Sequence, residues 1–184
     1  MMTRDEAWSL LNAHNDETHL IHHALESEAV MRGLARRLGR DEELWGVVGL
    51  LHDLDYATTK DNPARHGLDC VPLLDGKLPE DAVRAITAHN GECTGLAPST
   101  ELDFALRCGE SVTGLIHANA LVRPDGMAGM APKSLKKKMK EKAFAAGVDR
   151  DRVRECEKIG LELGDFFAVA IEAMDGVKTQ VGLS

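Results

Sequence analysis

His52 and Asp53 follow eight consecutive residues without a polar side chain, Leu44-Trp45-Gly46-Val47-Val48-Gly49-Leu50-Leu51, so an imidazole and a carboxylate stand where the chain enters its core. An ionised carboxylate withdrawn from water is costly unless a counter-charge or a cation meets it. Asp53 therefore needs a partner: His52, a turn that it caps, or a metal. Four more residues of ligand type share apolar helical faces: His23 beside the Ser27/Met31 stripe, His66, His89 behind Ala82 and Ile86, and Glu110 one turn after Leu106. Each taken singly reads as an ordinary core histidine or a half-exposed glutamate. Taken together, four imidazoles and two carboxylates suit one or two divalent cations such as Fe, Mn, Ni, Co or Zn, with Mg also admissible. Spacing alone does not select these four from the eight histidines of the chain.

The elements that must position this set are helical, because strand-like alternation is missing while helix punctuation recurs. One helix is expected near 18–38, stopped by Gly39. Asp41 caps a second that carries the apolar run, and Asn62-Pro63 opens a third with His66, Cys70, Leu73 and Leu74. Pro79, in a first turn, opens a fourth that stops at Asn90-Gly91, and a fifth runs from near Ser99 to the break at Pro124. Leu135, Met139, Ala143 and Ala146 mark a basic amphipathic helix ending at Gly147. Asp149 caps a last one, with Val153, Cys156, Gly160, Leu163, Phe167, Ala170 and Met174 inward. The expectation is an all-α, compact single-domain bundle over 1–184, of about seven to eight helices. Its metal-site core lies at about 19–122, and the basic and C-terminal helices at 133–175 pack on it.

At 184 residues, 43% apolar and 28% charged, the chain is sized and composed for one buried core, which excludes disordered, fibrous and membrane-embedded classes. No apolar run approaches the ~18 residues of a bilayer span, and the start is polar, so a cytoplasmic location is expected. A net charge of -8 argues against nucleic acid or an anionic membrane as partner. Cys70, Cys93, Cys108 and Cys156 form no Cys-x-x-Cys pair and read as four buried thiols. Against the acidic balance, Lys133, Lys136, Lys137, Lys138, Lys140 and Lys142 crowd six charges into ten residues. A solvated face is the plain reading, and an acidic partner or a phosphate-rich substrate the other; no aromatic residues interleave there to stack on bases.

The ordered pieces resemble the HD-domain metal-dependent phosphohydrolases. They are His23-Ala24-Leu25-Glu26-Ser27-Glu28, Leu50-Leu51-His52-Asp53-Leu54-Asp55-Tyr56, Arg65-His66-Gly67, Ile86-Thr87-Ala88-His89 and Gly109-Glu110-Ser111-Val112-Thr113-Gly114-Leu115. The resemblance covers about 19–122. Leu121-Val122-Arg123-Pro124 and the run Lys133 to Lys140 extend it to a bacterial and archaeal subgroup of that superfamily. It implies a helical fold with a first metal on His23, His52, Asp53 and Glu110. In two-metal members the residue matching Asp53 bridges, and those matching His66 and His89 hold the second ion. Glu110 departs from the pattern, since the family usually has Asp there, one methylene shorter.

The activity implied is hydrolysis of a phosphoester of a small phosphorylated metabolite or nucleotide by a cation-activated water, with His52 and Asp53 at the reacting centre. Asp55 would orient a ligand imidazole or handle a proton. Lys60, Arg123, Lys133 and Lys137 would meet substrate phosphate. Two other readings belong with it: a di-iron oxygenase, as in a related branch, and a non-catalytic HD-like signalling module, which typically loses ligands that this chain retains. A homodimer is the ordinary prior for a small bacterial enzyme.

Overall fold

The computed structural model describes residues 1–183, and no strand occurs among them. Helix α1 (Arg4–His14) starts in a capping box in which the Glu6 N–H donates to Thr3 Oγ1 and the Thr3 N–H donates to the Glu6 carboxylate. The apolar-stripe reading leaves this helix unassigned, although Thr3-x-x-Glu6 is the signal for it. Helix α2 (Thr18–Leu38) has the expected extent, and Gly39 ends it with φ 67°, its N–H meeting the Ala35 and Arg36 carbonyls. Asp41 caps α3 (Glu42–Leu51) by accepting the Leu44 N–H at 3.0 Å.

Helix α2 is the central element: α3, α11 (Leu163–Val177) and α8 (Glu101–Leu121) all pack on it, α3 most extensively. Two glycines allow α3 to come so close. A Cβ at Gly49 would lie 2.7 Å from the Ser27 carbonyl oxygen, and one at Gly46 would lie 2.6 Å from Arg32 Nε. Buried polar residues pin α2 on its other sides. Glu28 takes Arg4 Nη2 at 3.0 Å and Arg32 Nε at 3.1 Å, while Glu26 takes His117 Nδ1 of α8 at 2.6 Å.

Several expected elements are corrected. Asn62-Pro63 does not open a helix. After α4 (Tyr56–Thr59) the chain runs in turns to the short α5 (Val71–Leu74), and Gly67 has φ 87°, outside helical space. The cause is Asp55, whose carboxylate accepts the Gly67 and Cys70 backbone N–H groups, both at 3.0 Å. Helix α6 (Glu80–Ala88) starts after Pro79, which is its N-cap, and a short α7 (Gly91–Thr94) follows. The basic helix is only α9 (Pro132–Lys138), so Lys140 and Lys142 lie in turns. There the Arg150 guanidinium donates to the Phe144, Ala145 and Val148 carbonyls. The last helix is divided into α10 (Arg150–Arg154), a 3₁₀ turn (Glu155–Ile159) and α11, separated at Gly160 with φ 76°. Cys93 is exposed rather than buried, the other three thiols are buried, and all four are free. No described helix is long and apolar enough to cross a membrane.

Gly49→Ala is expected to force α3 off α2 and to destabilise the fold by about 1–3 kcal/mol, read as a lower midpoint in urea unfolding. A pH dependence follows from Glu26, which raises the His117 pKa by accepting its hydrogen bond, with burial opposing. Below the ordinary histidine value of about 6.5 that stabilisation is fully present while Glu26 is ionised, and it is lost as pH rises through the raised folded value. Unfolding curves of wild type and His117→Gln should therefore differ most on the acid side of that window and converge above it.

Candidate metal centre

His52 and His89 are the C-cap residues of α3 and α6. The last carbonyls of a helix lack an intrahelical donor, and each of these rings supplies one. His52 Nδ1 lies 2.8 Å from the Gly49 oxygen, and His89 Nδ1 bonds the Ile86 oxygen. A carbonyl only accepts, so the proton of each ring is on Nδ1 and each Nε2 carries a lone pair. His23 reaches the same state from α2. Thr113 Oγ1 donates its hydrogen to the Glu110 carbonyl at 2.6 Å, so it accepts from His23 Nδ1 at 3.1 Å. His66 Nδ1 donates to Asp55 Oδ1 at 2.9 Å.

All four Nε2 atoms then converge on Asp53. His66, His52 and His89 approach Asp53 Oδ1 at 3.1, 3.4 and 3.4 Å, and His23 approaches Oδ2 at 3.7 Å. The rings fall into two pairs, with Nε2–Nε2 separations of 3.2 Å for His23 and His52 and 2.9 Å for His66 and His89. The ligand atoms of His23, His52 and Asp53 lie within 4.8 Å of one another, as do those of Asp53, His66 and His89.

This donor set fits a cation. Ligand atoms about 2.1 Å from a metal and about 90° apart are about 3.0 Å from each other, close to both nitrogen pairs. Lone pairs facing one another and a carboxylate repel unless something positive lies among them. The C-terminal ends of α3 and α6 add partial negative charge at the same place. Two imidazole pairs sharing one carboxylate can hold two ions, with Asp53 between them.

Local fields favour the ligand forms of His52 and Asp53. Burial drives the His52 pKa down to about 3 and keeps that ring neutral. Burial acts to raise the Asp53 carboxyl, but His52, His66, His89 and His23 outweigh it and hold it well below the usual carboxylate range. His66 differs: burial acts to lower it, yet hydrogen bonds to Asp53 and Asp55 lift it to about 9, so its Nε2 keeps a proton that a cation would have to displace. The side chains of His52 and His89 are 1% and 4% exposed, against 29% for His23 and 17% for Asp53, so solvent reaches the group from the His23 side.

The remaining expected residues are distributed differently. Asp55 is buried, and its three N–H donors mark it as the group that orients His66 and holds the loop. Glu110 belongs to neither ligand group: its Oε1 accepts from Ser111 Oγ at 2.7 Å and lies 3.7 Å from Arg152 Nη1. Its extra methylene lets the carboxylate turn along α8 to those partners. Lys60 pairs at the surface with Glu17 at 3.4 Å, and Arg123 gives its guanidinium to the Gly126 and Ala128 carbonyls. Lys133 and Lys137 are exposed on α9, while their neighbours Lys136 and Lys140 line a hollow of about 640 Å³ with Arg154 and Glu157. Among the described residues no hydrogen bond or ion pair ties Lys60, Arg123, Lys133 or Lys137 to the imidazole–aspartate group.

Residues overlooked in the sequence are Thr113, whose place three residues after Glu110 on one helical face was the available signal, and Arg107 and Arg152, for which there was none. The family model described as HD domain matches residues 20–140, more than half of the chain. No curated protein and no solved structure matches it.

Asp55→Asn is expected to release the His66 ring and to weaken divalent-cation binding by about 10- to 100-fold with helix content preserved. Metal titration followed by circular dichroism checks both.

Proposed function

The chain belongs to the HD-domain family, and from that membership together with the paired imidazoles around Asp53 we propose that it is a metal-dependent phosphohydrolase acting on a small phosphorylated molecule. The observation that carries this reading is the orientation of the four rings: each Nδ1 is committed to an acceptor, which aims all four Nε2 atoms at one carboxylate. His23, His52, His66, His89 and Asp53 would hold the cations, with Asp53 shared between the two pairs. When bound, a divalent cation acidifies water and offsets the charge that develops on phosphoryl oxygens.

The protein's own groups do the rest. Asp55, Thr113 and the Gly49 and Ile86 carbonyls fix ring direction, so no reorganisation is needed as charge shifts. The buried rings of His52 and His89 close the inner side against bulk water, and the more exposed His23 and Asp53 leave the outer side as the approach for substrate. Asp55, saturated by its three donors, acts on His66 and is not placed to exchange a proton with substrate.

The expected outcome is a purified protein that contains a divalent transition metal and releases phosphate or a phosphomonoester. The substrates to try are phosphomonoesters, cyclic nucleotides and nucleoside triphosphates, with Mn, Co, Ni and Mg supplied separately. Asp53→Ala should lose both metal and turnover while retaining its helical circular-dichroism spectrum. A metal-free protein after growth in metal-supplemented medium would falsify the site. Oxygen-dependent product formation without phosphate release would replace hydrolysis by oxygen chemistry.

A further inference from the structure

One arginine stands at the edge of the metal group with donors to spare. Asp149 caps α10 by accepting the Asp151 and Arg152 N–H groups, which sets Arg152 in the first turn with its side chain toward α7 and α8. Only Nη2 of its guanidinium is used, on Glu92 Oε2 at 2.7 Å. Nη1 stops 3.7 Å short of Glu110, and Nε lies 3.8 Å from Asp149, shielded from solvent with no hydrogen-bond partner. A guanidinium N–H in that position is costly unless something accepts from it.

Of the three carboxylates around Arg152, only Glu92 is within hydrogen-bond distance, and it is already gripped by Arg107 at 2.6 and 3.0 Å, while Arg107 has Glu155 on its other edge. This network is fastened to the metal group. Arg107 Nη1 donates to the His89 carbonyl at 3.1 Å, fixing the backbone that presents the His89 ring. Glu110, the next carboxylate from Arg152, is linked to the same group through its backbone: its carbonyl accepts the Thr113 hydroxyl that orients His23. The Arg152 side chain is 21% exposed, which leaves it reachable from outside.

We propose that Arg152 forms an anion subsite beside the metal group, its unused Nε and Nη1 donors receiving the phosphoryl oxygens of the substrate. The inference rests on the phosphohydrolase reading and deepens it by naming the residue that recognises the charged group. The planar guanidinium matches phosphoryl oxygens in a way a lysine does not. Docking would leave the Glu92 pair intact, because it uses donors that Glu92 does not occupy.

The test is titration calorimetry of inorganic phosphate into the manganese-loaded full chain, comparing wild type, Arg152→Ala and Arg152→Lys, with bound manganese counted for each. The expected result is unchanged metal stoichiometry and phosphate affinity lowered about 10- to 100-fold in Arg152→Ala, partly restored in Arg152→Lys. Should the alanine variant fail to fold, Arg152→Gln, which keeps a donor for Glu92, is read in its place. Equal phosphate affinity in a folded, metal-loaded variant overturns the subsite, as does wild type that binds no phosphate or a variant that loses manganese. Arg152-dependent phosphate binding by a protein that hydrolyses no phosphoester would instead overturn the phosphohydrolase reading and leave the subsite standing.

Discussion

Four imidazole Nε2 atoms are gathered around one ionised carboxylate, paired at 3.2 and 2.9 Å, and the fold is organised to hold them there. Bonding the opposite nitrogen of each ring is the means. For His52 and His89 that bond falls on the carbonyl three residues back, a group that the end of α3 or α6 would have left without a donor. Helix termination and ligand orientation are therefore one interaction at both sites. It also brings the negative ends of two helix dipoles to the place where a cation is wanted.

Helices α2 and α8 supply the complementary wall. His23 and Glu26 lie one turn apart on α2, and Thr113 and His117 lie one turn apart on α8, so two rungs, His23–Thr113 and Glu26–His117, join the same faces. The first rung sets a ligand tautomer, and the second keeps the helices in the register that the first requires. On the third side, glycines at 46 and 49 bring α3 close enough for the His52 ring to reach His23 from a different helix.

Much of this was legible in the sequence, and the illegible parts have a common cause. Local signals were sufficient for α2, where the apolar stripe and the Gly39 stop act within a few turns, and for α3, whose Asp41 cap and apolar run agree. The candidate residues stood out because an imidazole or a carboxylate on an apolar face contradicts packing logic, although spacing alone did not separate these four histidines from the other four. What could not be read depends on side chains that reach backbone or charge far along the chain. Arg150 captures the Phe144 and Ala145 carbonyls, which the Leu135/Met139/Ala143 stripe assigns to a longer helix. Glu110 keeps the ligand position of the family but turns to Ser111 and toward Arg152, a partner 42 residues away in α10. Arg107 reaches the His89 carbonyl, and Arg152 reaches Glu92 and Glu110, only through tertiary docking, which no spacing encodes.

The segment 61–70 shows why propensity gives way at such a place. A regular helix from Asn62 would consume the Gly67 and Cys70 N–H groups in its own ladder. Asp55 would then have His66 alone to offset the burial of a second carboxylate two residues from Asp53. In turns, those N–H groups point at Asp55 instead and, with His66 Nδ1, hold its pKa below the ordinary value despite the opposing burial. Gly67 makes this geometry accessible: its positive φ suits glycine, and a Cβ there would crowd the Ile86 carbonyl at 3.2 Å, the same carbonyl that orients His89. The local rule is broken where a buried anion has to be satisfied so that a neighbouring imidazole can be aimed.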